Sequence, residues 1–171
     1  EIMPSLVGSE MCIRDSYVRK ALSGYRNVYI LSDTLTKVQV NSLIKAVDVF
    51  VSLHRAEGFG LVLAEAMLNG TPTIATNWSA NTEFACSEAA CMVGYKMIEI
   101  EKDIPPYKKG YHWADADVDE AAGFMERLYS DRDFYDSIAE NGARYVRESL
   151  NMERSTKIVK ERVENIRRKL C

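Results

Sequence analysis

The stretch from Asp48 to Thr76 reads DVFVSLHRAEGFGLVLAEAMLNGTPTIAT, and it decides the fold. It opens with a short run rich in β-branched and aromatic residues, Asp48–Leu53, which predicts a buried strand. Leu61–Asn69 then carries apolar residues at helical spacing and ends before Gly70, so it predicts a helix. Pro72–Thr76 predicts the next strand, with proline at the first position, where no ladder donor is lost. A strand, a helix and a strand of this kind form a parallel βαβ unit.

Runs typical of buried strands and apolar residues at helical spacing continue to alternate along the chain. They predict further strands at Asn27–Leu31, Ala90–Val93 and Met97–Ile100, and helices at Tyr17–Ser23, Lys37–Ala46, Val118–Tyr129, Asp133–Glu148 and Met152–Leu170. Asn81–Cys86 predicts one or two helical turns, and Asp103–Trp113, which contains prolines and a glycine, predicts a loop. Because right-handed crossovers join parallel strands, the predicted fold class is α/β, a Rossmann-like parallel sheet flanked by helices.

The composition argues against several classes of protein. The 171 residues give room for one domain of ordinary size, and 47% hydrophobic with 27% charged residues is typical of a soluble globular chain. A net charge of −3 does not indicate a nucleic-acid partner. The longest uncharged run, Ala66 to Thr82, contains a proline and three asparagines, so it does not predict a membrane span. The 4 cysteines include no CxxC pair, predict neither a zinc site nor a disulfide scaffold, and fit a reducing cytoplasm.

The opening segment, residues 1–16, differs in character from the rest. Its string SLVGSEMCIRDS has no clear helical or strand period and resembles translated library-adapter sequence, so we predict that residues 1–16 are non-native or disordered. The alternative is a natural loop or poor helix that packs Leu6, Val7 and Ile13 into the core. The predicted domain therefore spans residues 17–171.

A candidate ligand site lies between the strand and the helix of the deciding stretch. In a parallel sheet the loop that follows a strand lies at the carboxyl edge, where ligands bind. Gly58 and Gly60 flank Phe59, which lets the backbone approach a ligand closely and adopt a positive φ. The amides of Gly60, Leu61 and Val62 begin the helix, and free amides at that end favour an anion.

Two carboxylates bracket this turn. Glu57 precedes it, and Glu65 lies about one turn into the helix, with a side chain that leans toward the helix N-terminus. We therefore expect both acids to line one hollow beside the free amides. Glu65 interrupts the apolar run LVLAEAML and is a candidate for accepting two ribose hydroxyls. The alternative is a surface glutamate that the helix dipole stabilises by about 0.3–1 kcal/mol.

The residues around these two acids resemble a known family. Glu57, seven residues and Glu65 match the E-x7-E motif of the retaining GT-B glycosyltransferases of family 4, and the EGFG, EAM and G-x-P strings resemble that family's donor-site core. Downstream, NWSANTEF resembles the family's SGNxEF segment, and PPYKKGYHWADADVDEAA resembles a subgroup of bacterial members. The resemblance covers roughly residues 27–170. It implies the C-terminal, donor-binding half of a GT-B fold.

The resemblance assigns donor-binding roles to residues of this chain. Glu65 would hold the ribose hydroxyls of a nucleotide-sugar. The diphosphate would be held by three backbone amides, those of Gly60, Leu61 and Val62. The donor sugar would contact the catalytic group and two further amides: Glu57, Gly58 and Phe59. The implied reaction transfers a hexosyl group from a UDP- or GDP-sugar to an acceptor with retention.

The resemblance also implies features outside the deciding stretch. Ser32 and Asp33, just after the first predicted strand, would lie near the nucleotide base. The N-terminal domain that binds the acceptor would be missing, so the isolated fragment is expected to be inactive. No resident cofactor or metal is implied, because the nucleotide-sugar is the substrate.

Three further features allow two interpretations each. The DAD and DRD motifs at 115–117 and 131–133 look like metal-binding sequences, but each precedes a predicted helix and is expected to cap it. His54 is either a general base or, as we expect, a hydrogen-bonding partner in the site wall. Arg55 is either a diphosphate ligand or, as we expect, a solvated or stem-packed side chain.

The final predicted helix carries a narrow apolar stripe beside many basic residues. The stripe consists of Val159, Val163, Ile166 and Leu170. One interpretation is contact with a membrane surface or a partner. The other, which we favour because acids are interleaved with the bases, is an ordinary packed helix with a solvated basic face. Membrane-surface contact is therefore not indicated.

Two other functions compete with glycosyl transfer. An epimerase or dehydrogenase would need GxGxxG, and Leu63 stands where the third glycine belongs. A non-catalytic nucleotide-binding or interaction module on a Rossmann-like fold is the alternative, since fold does not imply function. Binding of a nucleotide-sugar, measured by calorimetry, separates the enzyme from an interaction module.

Overall fold

The computed structural model describes residues 18–104 and 106–170, and the prediction for residues 1–16 lies outside them. The chain divides into two units, residues 1–36 and residues 37–171. In the first unit, residues 18–22 are helical, and this helix ends in a turn at Ser23 and Gly24. The position of that glycine therefore predicts the end of the helix correctly.

The predicted strand Asn27–Leu31 is wrong. These residues form no regular secondary structure, and Tyr29 and Leu31 are 84% and 65% exposed. A strand needs a neighbouring strand whose backbone groups pair with its own, and β propensity does not provide that neighbour. The apolar run NVYIL therefore has the residue types of a strand but does not pair with another strand in the described part of the chain.

The second unit alternates helices and strands, and most of its elements were predicted from periodicity to within a few residues. Its elements are α1 (Lys37–Ala46), β1 (Phe50–Ser52), α2 (Leu61–Leu68), β2 (Thr73–Thr76), a 3-10 helix (Ala80–Glu83), β3 (Cys91–Val93), β4 (Tyr95–Glu99), β5 (His112–Ala116), α3 (Val118–Ser130), α4 (Arg132–Ser149) and α5 (Met152–Leu170).

The strands β1, β2 and β3 form a parallel sheet with β2 at its centre. All residues of β2 are buried, because successive side chains point to opposite faces and both faces are covered. Ala75 packs in one apolar cluster with Met67 of α2, and Ile74 packs in another with Leu128 of α3 and Ile138 of α4. The predicted α/β class, a parallel sheet flanked by helices, is confirmed.

An antiparallel hairpin of β4 and β5 follows the parallel sheet. β4 overlaps the predicted strand Met97–Ile100. The end of the predicted loop Asp103–Trp113 is wrong, because β5 already begins at His112. Of the residues in β5, only Ala114 is buried, and its neighbours Trp113 and Asp115 are partly or fully exposed. This short, polar strand shows no regular alternation, so it does not stand out from a loop in the sequence.

The two Asp-x-Asp motifs cap helices, as predicted. Asp117 Oδ1 accepts hydrogen bonds from the amides of Asp119 and Glu120, each at 3.1 Å. Asp131 Oδ1 accepts one from the amide of Phe134 at 2.9 Å. These contacts satisfy donors that the first turn of a helix leaves unpaired. Among residues 18–104 and 106–170, no group of His, Cys, Asp and Glu is arranged to hold a metal.

The last helix, α5, does not pack as predicted. Every residue from 152 to 169 is exposed, and Val159 and Val163 are 61% and 44% exposed. The expectation of an ordinary packed helix is therefore wrong for these residues. Helical spacing shows which side chains share a face, but not whether another surface meets that face. Of the helices in the described part of the chain, none has the length and apolar character needed to cross a membrane.

Gly142 lets α4 lie close to the backbone that precedes β3. A Cβ at this position would lie 2.8 Å from the carbonyl oxygen of Ala89 and 3.7 Å from Met67 Cβ. Because the nearer atom belongs to the backbone, the helix or the neighbouring segment would have to shift. A Cβ at Gly123, on the exposed side of α3, would meet nothing within 4 Å.

We expect Gly142→Ala to lower the free energy of unfolding by up to about 2 kcal/mol, because overpacking costs roughly 1–3 kcal/mol and alanine returns about 1 kcal/mol of helix propensity. The matched control Gly123→Ala should raise it by about 0.5–1 kcal/mol. Urea unfolding followed by circular dichroism measures both. Equal stabilisation of the two variants would contradict the close approach at Gly142.

Candidate functional site

Helix α2 begins at a glycine in the left-handed conformation. Gly60 has φ 89° and ψ 42° and is buried. A Cβ there would lie 3.1 Å from Leu63 Cδ1 and 3.2 Å from Phe84 Cζ. Both the backbone angles and the space therefore require glycine. Gly58 has no such restriction, since a Cβ there would meet nothing within 4 Å.

The N-terminus of α2 presents unpaired amides. No side chain caps it, and its first backbone hydrogen bond runs from the Ala64 amide to the Gly60 carbonyl at 2.9 Å. The amides of Leu61, Val62 and Leu63 therefore donate to no acceptor within residues 18–104 and 106–170. Free N–H groups at the positive end of a helix dipole form a binding position for an anion.

A cleft of about 450 Å³ opens beside these amides. Its walls are the end of β1, at Phe50 and Ser52, and the continuous run of residues 57–63. The cleft therefore lies at the carboxyl edge of the parallel sheet, where the sequence predicts a ligand site. It brings together six of the predicted site residues: Glu57, Gly58, Phe59, Gly60, Leu61 and Val62.

Glu57 is half-buried at the wall of this cleft. Its Oε1 accepts a hydrogen bond from the Phe59 amide at 3.4 Å. A bond of this length is weak, so the carboxylate keeps most of its capacity to accept hydrogen bonds from a ligand.

Glu65 lies in a neighbouring cleft of about 340 Å³. The two clefts share Phe59 and Leu61 as common wall residues. The expectation that both acids line one hollow is therefore wrong: Glu57 and Glu65 line two adjoining clefts. Glu65 Oε1 forms an ion pair with Lys37 Nζ of α1.

Sequence reasoning missed Lys37 as a site residue. It stands 28 positions before Glu65, and only the packing of α1 beside α2 brings the two charges together. The Lys37 side chain is 67% exposed and that of Glu65 is 25% exposed, so the ion pair lies at the protein surface and contributes little to stability. No motif in the sequence signals this contact.

His54 is a hydrogen-bonding residue, as predicted, but it does not line either cleft. Its Nε2 lies 3.0 Å from the Trp78 carbonyl and 3.1 Å from Asn81 Oδ1. Asn81 Nδ2 donates to the Thr76 carbonyl at 3.0 Å, so Asn81 Oδ1 faces His54 as an acceptor, and Nε2 must carry a proton. Nδ1 lies 3.4 Å from Ser52 Oγ. With both ring nitrogens engaged, His54 is suited to holding two loops together.

The guanidinium of Arg55 contacts other side chains of the protein, which does not favour a role in binding an anion. Its Nη2 lies 2.8 Å from Asp115 Oδ1, and its guanidinium lies 4.8 Å from the centre of the Trp113 ring. These contacts confirm the prediction of a packed, partly solvated arginine. They also occupy Asp115, the first acid of the DAD motif.

Ser79 is a second residue that the sequence did not single out. Its φ of 78° and ψ of −159° belong to a region that is essentially restricted to glycine, and holding a serine there costs about 1–3 kcal/mol. Strain of this kind persists only where surrounding contacts enforce it, and it concentrates at functional sites. Ser79 contacts the backbone of Glu57 through its hydroxyl.

Ser32 and Asp33 belong to the first unit of the chain. Ser32 Oγ accepts a hydrogen bond from Arg19 Nη2 at 3.1 Å, within that unit. Their predicted closeness to a nucleotide base stays a prediction.

A family model described as "Glycosyl transferases group 1" matches residues 20–145 of this chain. The matched range contains the clefts' shared wall, the left-handed turn and both acids. No curated protein matches the chain.

Several solved structures resemble this one. The C-terminal domain of the group 1 glycosyl transferase LpcC from Francisella tularensis has a TM-score of 0.60 and 21% identity, over 84% of this chain and 64% of that chain. HepE from Anabaena, in complex with UDP-glucose, has a TM-score of 0.64 and 17% identity, over 94% of this chain and 38% of that one. Sucrose-phosphate synthase from Thermosynechococcus elongatus has a TM-score of 0.64 and 19% identity, over 90% and 34%.

At these identities the likeness shows the fold, which is that of the C-terminal domain of GT-B glycosyltransferases. This chain spans less than two thirds of the length of each of these proteins. The family match, in contrast, covers most of the chain, including both acids and the start of α2. The chain therefore belongs to the group 1 glycosyl transferases.

Proposed function

We propose that this chain is the donor-binding part of a retaining glycosyltransferase of family 4 type, which transfers a hexosyl group from a UDP- or GDP-sugar to an acceptor. The observation that carries the proposal is the uncapped N-terminus of α2, whose free amides open into a cleft beside Glu57. An anion-binding helix end next to a carboxylate suits a substrate with a diphosphate on one side and a sugar on the other.

The diphosphate would lie at the start of α2, on the amides of Gly60, Leu61 and Val62. Cleavage of the sugar–phosphate bond leaves negative charge on the nucleotide diphosphate, and these donors face that charge. Each fixed donor of this kind contributes about 3–4 kcal/mol by analogy with oxyanion holes, whereas the helix dipole contributes about 0.3–1 kcal/mol. The individual N–H groups therefore carry most of the stabilisation of the leaving group.

The donor sugar would lie against Glu57, with the amides of Gly58 and Phe59. As the bond to phosphate breaks, the sugar gains positive charge, which the Glu57 carboxylate stabilises from its place in the same cleft. In this proposal Glu57 orients and stabilises the sugar and does not attack it. Its single long hydrogen bond, 3.4 Å from the Phe59 amide, leaves it free for this contact.

The ribose would bind Glu65 in the adjoining cleft. The two ribose hydroxyls would then share Glu65 with Lys37, which pairs with this carboxylate in the structure. Glu57 and Glu65 line different clefts, which supports different tasks for the two acids. Ser32 and Asp33 are proposed near the base, and no resident cofactor or metal is part of the proposal.

Catalysis would need a second, acceptor-binding domain. Because this chain spans 38% of HepE and 34% of sucrose-phosphate synthase, the activity of the whole protein is a proposal here. We expect the 171-residue chain to bind a nucleotide-sugar weakly and to show no detectable transfer.

The first prediction is binding without turnover. Isothermal calorimetry should show that the chain binds either UDP-glucose or GDP-mannose, the two base types of the proposal. HepE was solved with UDP-glucose and with UDP and glucose, which makes UDP-glucose the first probe. Binding of neither ligand at millimolar concentration would overturn the donor-binding role and favour a non-catalytic interaction module.

The second prediction concerns Glu65. Glu65→Gln should weaken binding of the nucleotide-sugar about 10- to 150-fold, because a hydrogen bond to a charged group contributes about 1.5–3 kcal/mol. Glu126→Gln, an exposed glutamate on α3, is the matched control and should bind normally. Lys37→Met is measured beside them, since Glu65→Gln also breaks the Lys37 ion pair. Unchanged affinity in Glu65→Gln would remove Glu65 from the ribose role.

The third prediction separates the two glycines. Gly60→Ala should lower the melting temperature, because its Cβ would meet Leu63 and Phe84 at a left-handed backbone position. Gly58→Ala should leave the melting temperature unchanged, since its Cβ has open space, yet weaken donor binding if the sugar approaches the backbone there. Thermal unfolding and calorimetry on both variants test this, and normal donor binding by Gly58→Ala would contradict the close approach.

A further inference from the structure

Two loops meet at the carboxyl edge of the sheet, and polar contacts join them. We call residues 53–60, which follow β1, the glycine loop, and residues 77–79, which follow β2, the serine loop. His54 of the glycine loop contacts the Trp78 carbonyl of the serine loop at 3.0 Å. Ser79 contacts Glu57 at the other end of the same interface.

The Ser79 hydroxyl satisfies both backbone groups of Glu57. It donates a hydrogen bond to the Glu57 carbonyl at 2.6 Å and accepts one from the Glu57 amide at 3.3 Å. Within residues 18–104 and 106–170, no other hydrogen bond holds these two groups. A single side chain thus fixes the peptide units on both sides of the Glu57 Cα atom.

Ser79 reaches this position only through an unusual backbone. It is the one non-glycine residue with positive φ in the described ranges 18–104 and 106–170. A glycine would adopt these angles freely but would lack the hydroxyl, whereas a β-branched residue is a marked outlier at positive φ. Serine at this position therefore provides the hydroxyl that contacts Glu57, although its positive φ strains the backbone.

The position of the Glu57 side chain depends on this backbone. The only hydrogen bond to its carboxylate among the described residues is the long one from the Phe59 amide, at 3.4 Å. Because that bond is weak, the side chain has no strong anchor of its own, and the fixed Cα–Cβ direction sets the region that the carboxylate can reach.

We propose that Ser79 is a positioning residue that aims the Glu57 carboxylate at the donor sugar through both backbone groups of Glu57. The proposal rests on the proposed function, and it adds the residue that decides how much the sugar contributes to donor binding. Ser79 does not touch the nucleotide in this scheme, so its loss changes recognition of the sugar and leaves recognition of the diphosphate at α2 intact.

The test compares a nucleotide-sugar with its bare nucleotide on the full chain. Calorimetry with UDP-glucose and UDP, or with GDP-mannose and GDP where the wild type prefers guanine, gives the ratio of the two affinities. Ser79→Ala and Ser79→Gly should lower this ratio about 5- to 10-fold, which matches the loss of about one net hydrogen bond, and leave affinity for the bare nucleotide within about twofold.

Ser79→Gly separates positioning from folding. Glycine removes the hydroxyl and relieves the backbone angles, so this variant should unfold at or above the wild-type temperature while still losing sugar recognition. Ser130→Ala is the matched control, since Ser130 lies exposed at the end of α3, outside both clefts, and its Oγ donates to the Glu126 carbonyl at 2.7 Å. It should keep the wild-type ratio.

A second readout needs no ligand. Hydrogen exchange of the Glu57 amide, followed by nuclear magnetic resonance, should quicken in both Ser79 variants and stay unchanged in Ser130→Ala. Equal losses of sugar-nucleotide and nucleotide affinity, an unchanged ratio, or unchanged exchange at Glu57 would each overturn the positioning role. If the wild type binds no nucleotide but exchange at Glu57 still quickens, the backbone contact holds and the proposed function fails.

Discussion

The site depends on one backbone conformation, the left-handed Gly60 between β1 and α2. Its missing side chain lets Phe84, after β2, pack against the turn, so two loops at the sheet edge fit together. It also starts the helix without a cap. A serine, aspartate or asparagine that capped the helix at that position would accept hydrogen bonds from the first amides of α2. Those amides would then not be available to an anion. Here the amides stay available to a ligand.

A second constraint comes from the contacts between the glycine loop and the serine loop. His54 ties them through Trp78 and Asn81, and Ser79 ties them through Glu57. Asn81 is fully buried and bonds the end of β2, so this network continues into the centre of the sheet. A carboxylate on a loop needs such support to keep a fixed position, because loops are otherwise the least fixed parts of a fold.

The two acids have different surroundings, which supports different tasks. Glu57 has a weak internal contact and faces the amides of α2 in a shared cleft. Glu65 carries a lysine partner and lies in the next cleft. A pair of carboxylates that worked on one bond would share one hollow. Glu57 and Glu65 instead line adjoining clefts, and the first residue of α2 belongs to the walls of both.

The sequence by itself determined the parallel sheet flanked by helices, the turn at the end of β1, the capping by Asp117 and Asp131, and membership of a glycosyltransferase family. These features depend on local periodicity and local hydrogen bonds, which involve residues that are close together in the sequence. Tertiary structure alone decided that Asn27–Leu31 pairs with no strand in the described part of the chain, that α5 is exposed, that Lys37 contacts Glu65 and that Ser79 holds Glu57. Each of these features depends on whether residues that are far apart in the sequence come into contact. The spacing of residues along one chain does not predict such contacts directly.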